Sequence, residues 1–163
     1  MTIQAGVITV SDKGSRGERE DKSGPEIVAM LESMGISVLQ SKIIPDEQPL
    51  IRDALIEYAD MRKLDLILTT GGTGVSPRDV TPDATLQVIE KEIPGMAEAM
   101  RRESEKITPH AMISRALAGI RGTSLIINLP GSPKGVRENL TVILPALNHA
   151  LEKIKGDERE CGS

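Results

Sequence analysis

Phenylalanine and tryptophan are missing from this 163-residue chain, and tyrosine occurs once, at Tyr58. With a single aromatic ring the bases of a single strand cannot be stacked in series, so the usual platform for single-stranded nucleic acid is nearly absent. The core must be built from Ile, Leu, Val, Met and Ala. Cysteine is as scarce: Cys161 stands alone. No intrachain disulfide can form, nothing demands an oxidising compartment, and the cytoplasm is the expected location. No apolar run approaches the roughly 20 residues of a membrane span. The first residues also lack the basic-then-apolar pattern of a signal peptide. A basic excess is absent too, because 20 Lys and Arg face 24 Asp and Glu for a net charge of -4. That balance argues against a general nucleic-acid binder. It leaves room for one cleft that takes a small phosphorylated ligand.

What remains reads as a single domain of order 150 residues. The expected unit covers residues 1–156, and the polar tail 157–163 is expected to fray. Short apolar runs rich in β-branched residues fall at 5–10, 37–44, 64–70 and 124–129, each ended by polar residues, glycine or proline. Between them lie helical patterns. Ser23 is placed to cap one, Asp46 the next and Thr81 a third, with further starts at Pro94 and at Thr108-Pro109. Gly119 is placed to end the helix begun at Thr108. Gly122 suggests a small hairpin. The closing pattern from Val136 to Ile154 keeps one apolar face, and Pro145 should kink or split it. Alternating strands and helices predict an α/β fold of three layers, a mostly parallel sheet with helices on both faces.

In such sheets ligands bind beyond the carboxyl ends of the strands. Four strands end in polar or glycine-rich loops, at Ser11-Asp12, Pro45-Asp46, Gly71–Asp79 and Asn128–Lys134. The third is the richest. Gly71, Gly72 and Gly74 let backbone N–H groups approach an anion, Thr73 and Ser76 add hydroxyls, and Arg78 adds charge. Its spacing is neither a Walker A loop nor a dinucleotide fingerprint. A tight strand-to-helix turn explains the same residues equally well. Asp46 and Asp79 are candidate Mg²⁺ ligands, although Asp46 also reads as a helix cap. Asp12 could bond a ligand hydroxyl or close its own turn. Asn128, Pro130, Gly131, Ser132 and Lys134 lead into a helix N-terminus that could face an anion or form an ordinary capped turn. His110 and His149 have no partners at ligand spacing and read as non-catalytic. The methionines read as core filler. The run from Arg101 to Lys106 reads as a solvated helix face.

Taken together, IPDEQ at 44–48, LTTGGTG at 68–74, RDVTPDAT at 78–85, PGMAEAMR at 94–101 and GIRGTSLIINLPGSPKGVRENL at 119–140 resemble the molybdopterin-binding family of molybdenum-cofactor biosynthesis. VSD near Ser11, the pair Ser114-Arg115 and LPALNHALEKIKGD at 144–157 extend the resemblance over nearly the whole chain. It is greatest to the molybdopterin adenylyltransferases. The resemblance implies a compact, usually trimeric α/β domain that joins the adenylyl group of MgATP to molybdopterin and releases pyrophosphate. ATP and molybdopterin would then be its small-molecule partners, with a separate protein inserting the metal. It also implies that Asp46 and Asp79 match two essential aspartates, that Gly71–Gly74 and Ser76 match the binding loop, and that Ser114 lines the pterin side. Members often carry Asn or Gln where this chain has Ser132. The alternative is a module of the same fold that binds molybdopterin without turning it over.

Overall fold

The computed structural model describes residues 2–161. Its sheet has six strands in the order β2-β1-β3-β6-β5-β4. The four apolar runs form β1 (Gln4–Val10), β2 (Ser37–Ile44), β3 (Leu66–Thr70) and β6 (Ser124–Leu129), and all four are parallel. The expected hairpin is β5 (Ala118–Arg121) turning at Gly122 into β6, with the two-residue β4 (Lys91–Glu92) beyond it, both antiparallel. The α/β, mostly parallel architecture predicted from the sequence is therefore the one observed.

Alternation within the strands makes the three layers, because successive side chains point to opposite faces. Val7, Leu66, Leu68, Leu125 and Ile127 join one core beneath α2 (Ser23–Ser33), α5 (Pro94–Glu105) and α6 (Pro133–Ile154). Ile8, Ile67 and Ile126 join the other, beneath α3 (Gln48–Ile56) and α4 (Thr81–Val88). The lone tyrosine belongs to the second core. Its ring occupies the space over Gly6, where an added Cβ would come within 2.6 Å of it, and Lys42 lies 5.0 Å from the ring centre.

Several expectations are corrected. The loop after β1 contains a four-residue helix, α1 (Asp12–Ser15). The segment from Thr108 makes only a 3₁₀ turn, Pro109–Ile113, and Gly119 lies inside β5. A Cβ at Gly119 would come within 2.7 Å of the Lys91 carbonyl, so the residue is small to let β4 approach. Pro145 does not split α6, which runs unbroken for 22 residues. Of the methionines, Met100 fills the core, but Met34, Met61 and Met112 are exposed.

Candidate functional site

Because β1, β2, β3 and β6 are parallel, their carboxyl ends share one edge, and their loops are laced together there by polar side chains. The Thr70 hydroxyl donates to the Pro130 carbonyl at 2.6 Å, and the Ser23 hydroxyl donates to the Gly131 carbonyl at 2.6 Å. Thr81 donates to the Gly71 carbonyl at 2.9 Å. Ser23 and Thr81 were expected to cap helices. Both instead sit one residue inside their helices, with hydroxyls turned to a neighbouring loop. The α2 N-terminus is served by Asp21, whose carboxylate accepts from the Gly24 N–H at 3.0 Å.

Asp46 does not cap α3 either; the cap position is Glu47, which makes no side-chain bond there. The Asp46 carboxylate accepts from the Asp12 N–H at 2.8 Å, and the Asp12 carboxylate accepts from the Asp46 N–H at 3.0 Å. This reciprocal clasp joins the ends of β1 and β2. Arg78 locks it from the third loop, with Nε and Nη2 on the Asp12 carboxylate at 3.0 and 2.9 Å and Nη2 also on Glu47 at 3.0 Å. The expected anion donor is thus already paired. The hydrogen bond from Arg78 holds the Asp12 carboxyl below its usual range, and the bond to the Asp46 peptide adds to that. Burial pushes the Asp46 carboxyl up, and the nearby carboxylates of Asp12 and Asp79 push it further.

Both aspartates lie against the glycine loop. A Cβ on Gly72 would come within 3.1 Å of Asp46 Oδ1, and one on Gly74 within 2.8 Å of Asp79 Oδ2. The Asp79 carboxylate accepts from the Ser76 N–H at 3.1 Å. Two depressions flank the loop. One, of about 760 Å³, is lined by Ser11, Arg19, Asp21, Lys22, Asp46, Gly71 and Gly72. The other, of about 450 Å³, is lined by Thr73, Gly74, Arg101, Ser114, Lys134 and Asn139, with Met100, Ile107 and Ile113 as its apolar wall. Ser132 and the Pro130–Ser132 turn border both.

Residues 6–149 match the family model described as a probable molybdopterin binding domain. The chain belongs to this family. It is 45% identical over 159 residues to the molybdopterin adenylyltransferase of Helicobacter pylori, covering 96% of this chain and 90% of that one. It is 46% identical over 153 residues to the enzyme of the same name from Haemophilus influenzae, covering 93% and 78%. Among solved structures, the molybdopterin biosynthesis enzyme MoaB from Thermus thermophilus superposes with a TM-score of 0.90 at 49% identity, covering 95% of this chain and 98% of that one.

Within this family member the sequence-predicted residues divide into four groups. Ser11, Asp12, Asp46, Gly71 to Gly74, Asp79, Pro130, Gly131 and Ser132 converge at the strand edge. Ser11 caps α1 and Ser132 caps α6, accepting from Gly14 and Gly135 at 2.9 and 3.0 Å. Ser114 and Lys134 line the smaller depression. Ser76 and Arg78 stand on the exposed outer face of the loop. Asn128 is placed differently from the expectation, because it is fully buried beneath the loops. Its amide donates to Thr69 and Thr85 at 3.0 and 2.9 Å and accepts from the Leu117 N–H at 3.1 Å. It braces the turn from below.

The sequence reading missed Arg101, which was assigned to a solvated face. It turns inward, donating to the Ala116 carbonyl at 2.9 Å on the wall of the smaller depression. It also missed Asp21, which accepts from both Thr9 and Gly24, and Arg115. His110, expected to be inert, lines the smaller depression. His149 lies near Cys161, away from both depressions.

Proposed function

We propose that this chain transfers the adenylyl group of ATP to the terminal phosphate of molybdopterin, as a cytoplasmic enzyme of molybdenum-cofactor biosynthesis. One observation carries the reading. Two carboxylates, Asp46 and Asp79, are pressed against opposite ends of a glycine loop that separates two pockets of ligand size. The larger pocket has the polar rim and the cations Arg19 and Lys22, which suit a nucleotide triphosphate. The smaller has an apolar wall with a few polar groups, which suits a pterin.

The residues fit a Mg²⁺ ion. Asp46 Oδ1 and Asp79 Oδ1 accept no hydrogen bond among the described residues. Burial lifts the Asp46 carboxyl first, and the Asp12 and Asp79 carboxylates add a repulsion of the kind a divalent cation relieves. Hard oxygen donors of this type suit Mg²⁺, which completes its shell with phosphate oxygens and water. When bound, the ion would neutralise charge on the triphosphate.

The rest of the reaction falls to the chain's own groups. Peptide N–H groups of Gly72 and Gly74, where no side chain intervenes, would face the phosphates and hold the α-phosphorus in line with the incoming oxygen. The terminal phosphate oxygen of molybdopterin forms the new bond to that phosphorus. The bond to the bridging oxygen of the β-phosphate breaks, and pyrophosphate leaves with its electron pair. No side-chain nucleophile is required, since the attacking phosphate is ionised at neutral pH. Positioning and charge neutralisation then supply most of the rate.

The family reading also brings an expected homotrimer and a separate protein that takes the adenylylated product for metal insertion. The decisive assay measures pyrophosphate release from MgATP with and without molybdopterin. Release that depends on molybdopterin supports the transferase. Molybdopterin binding with no release would instead make this a pterin-binding module.

A further inference from the structure

The loop that carries Asp79 has little apolar packing to hold it. Residues 75–78 are all exposed, Val75 to 63%. Its internal bonds are few: Ser76 N–H to the Asp79 carboxylate at 3.1 Å and Asp79 N–H to the Ser76 carbonyl at 2.9 Å. Segments of this kind fall at the low end of local stability unless something outside them fixes their ends.

Arg115 does so. Its Nε donates to the Gly74 carbonyl at 2.8 Å, and its Nη2 donates to the Asp79 carbonyl at 2.6 Å, so one guanidinium joins both ends of the exposed loop. Nη1 and Nη2 also grip the Asp83 carboxylate on α4 at 3.1 and 3.0 Å. The Arg115 backbone N–H donates to the Thr73 carbonyl at 2.8 Å. A fork of five rigidly arranged donors can make these bonds together, whereas a lysine ammonium offers three donors from one point. Its neighbour Ser114 lines the smaller pocket, as does Gly74, so the same peptide borders that space and fixes the loop that carries Asp79.

We infer that Arg115 is a positioning residue, one that acts through Asp79 by stapling the Gly74–Asp79 loop so that the carboxylate stays where a metal-bound triphosphate needs it. The consequence for turnover rests on the adenylyl-transfer reading; the staple itself does not. Asp83 is its anchor on α4. Loss of the fork releases the loop ends, and the aspartate then spends less time in the metal-competent position.

The test has two arms on the full chain, with Arg115→Lys, Arg115→Gln and Asp83→Ala beside wild type. The first is amide hydrogen exchange on the ligand-free protein. The Ser76 and Asp79 amides are expected to exchange about tenfold faster in Arg115→Gln, while the central strands keep wild-type protection. The second is the Mg²⁺ concentration for half-maximal adenylyl transfer at saturating molybdopterin. It should rise about tenfold in Arg115→Gln, less in Arg115→Lys and least in Asp83→Ala, with kcat recovering at high Mg²⁺. Unchanged loop exchange would overturn the staple. Faster exchange with an unchanged Mg²⁺ requirement would overturn the positioning role. If Arg115→Gln fails to fold, Arg115→Lys, which keeps the charge but loses the fork that reaches both loop ends, decides both points. Wild type without transferase activity would remove the proposed function and leave the exchange arm to decide the staple.

Discussion

Asp46 is a residue held at a cost to the fold. Its carboxyl is shifted above the ordinary value of 3.8, first by burial and then by the Asp12 and Asp79 carboxylates. A carboxyl with a raised folded pKa favours folding while protonated. That advantage is full below the unfolded value and is lost as pH rises through the folded one. At neutral pH, then, the ionised Asp46 weakens the metal-free protein. Asp46→Asn keeps an oxygen for the Asp12 N–H and removes the charge. It should melt at or above the wild-type temperature at neutral pH, with the gain shrinking as pH falls below the ordinary aspartate range. Turnover should drop by about 10²-fold or more, as for loss of a charge-stabilising group. A lower melting temperature with turnover intact would mean the side chain serves only to join two loops. Asp12 has the opposite sign: its lowered pKa gives stability that is present above the ordinary value and lost as pH falls through the folded one. Gly71 is constrained by space. It has φ +97°, and a Cβ there would lie 2.3 Å from the Val10 carbonyl oxygen, which is backbone and cannot swing aside. Gly71→Ala should cost about 2–4 kcal/mol. Differential scanning calorimetry should show a fall of about 5–15 °C.

At the scale of elements, the apolar periodicities were legible. The runs at 37–44 and 124–129 coincide with β2 and β6, the start at Pro94 coincides with that of α5, and the closing pattern from Val136 to Ile154 falls within α6. Helix caps on the functional edge were not. Ser23, Asp46 and Thr81 all have the right residue type before a helical pattern, yet each side chain serves another loop. Local propensity offers such a residue two partners of similar strength, its own helix or a neighbouring segment. Only the fold brings the second within reach. Asn128 was read as facing the site for a related reason: it falls at the end of the strand run, next to the polar turn, and only the packing of central β6 turns its amide inward. Pro145 shows the reverse limit. It lacks the N–H that would serve the Thr141 carbonyl, yet α6 continues through it, held on its apolar face by Ile143 and Leu147. Its own position is exposed. Pro145→Ala should restore the missing donor and stabilise the protein by about 1–3 kcal/mol without altering turnover. A fall in melting temperature would show that the ring makes a contact the helix needs.

At the scale of the whole molecule, parallel strands made the convergence of four loops predictable, because such strands deliver every carboxyl end to one edge. The division of that edge into two pockets was beyond the sequence. It depends on contacts such as Ser23 to Gly131, 108 residues apart, and on Arg101 turning inward from a helix whose charges suggested solvent. If the glycine loop and the Pro130–Ser132 turn form a partition between nucleotide and pterin, substitutions on either side should separate kinetically. Arg101→Met keeps the apolar stem and removes a cation from the smaller pocket, so it should raise KM for molybdopterin about tenfold and leave KM for ATP near wild type. Lys22→Met removes a cation from the larger pocket and should do the opposite. Ser132→Ala lies on the shared border, removes the α6 cap and should move both. Steady-state kinetics with each substrate varied at saturation of the other would read the pattern. A reversed pattern would exchange the two occupants. Parallel movement of both constants in Arg101→Met and Lys22→Met would mean that the two depressions act as one site, with the loop as its floor.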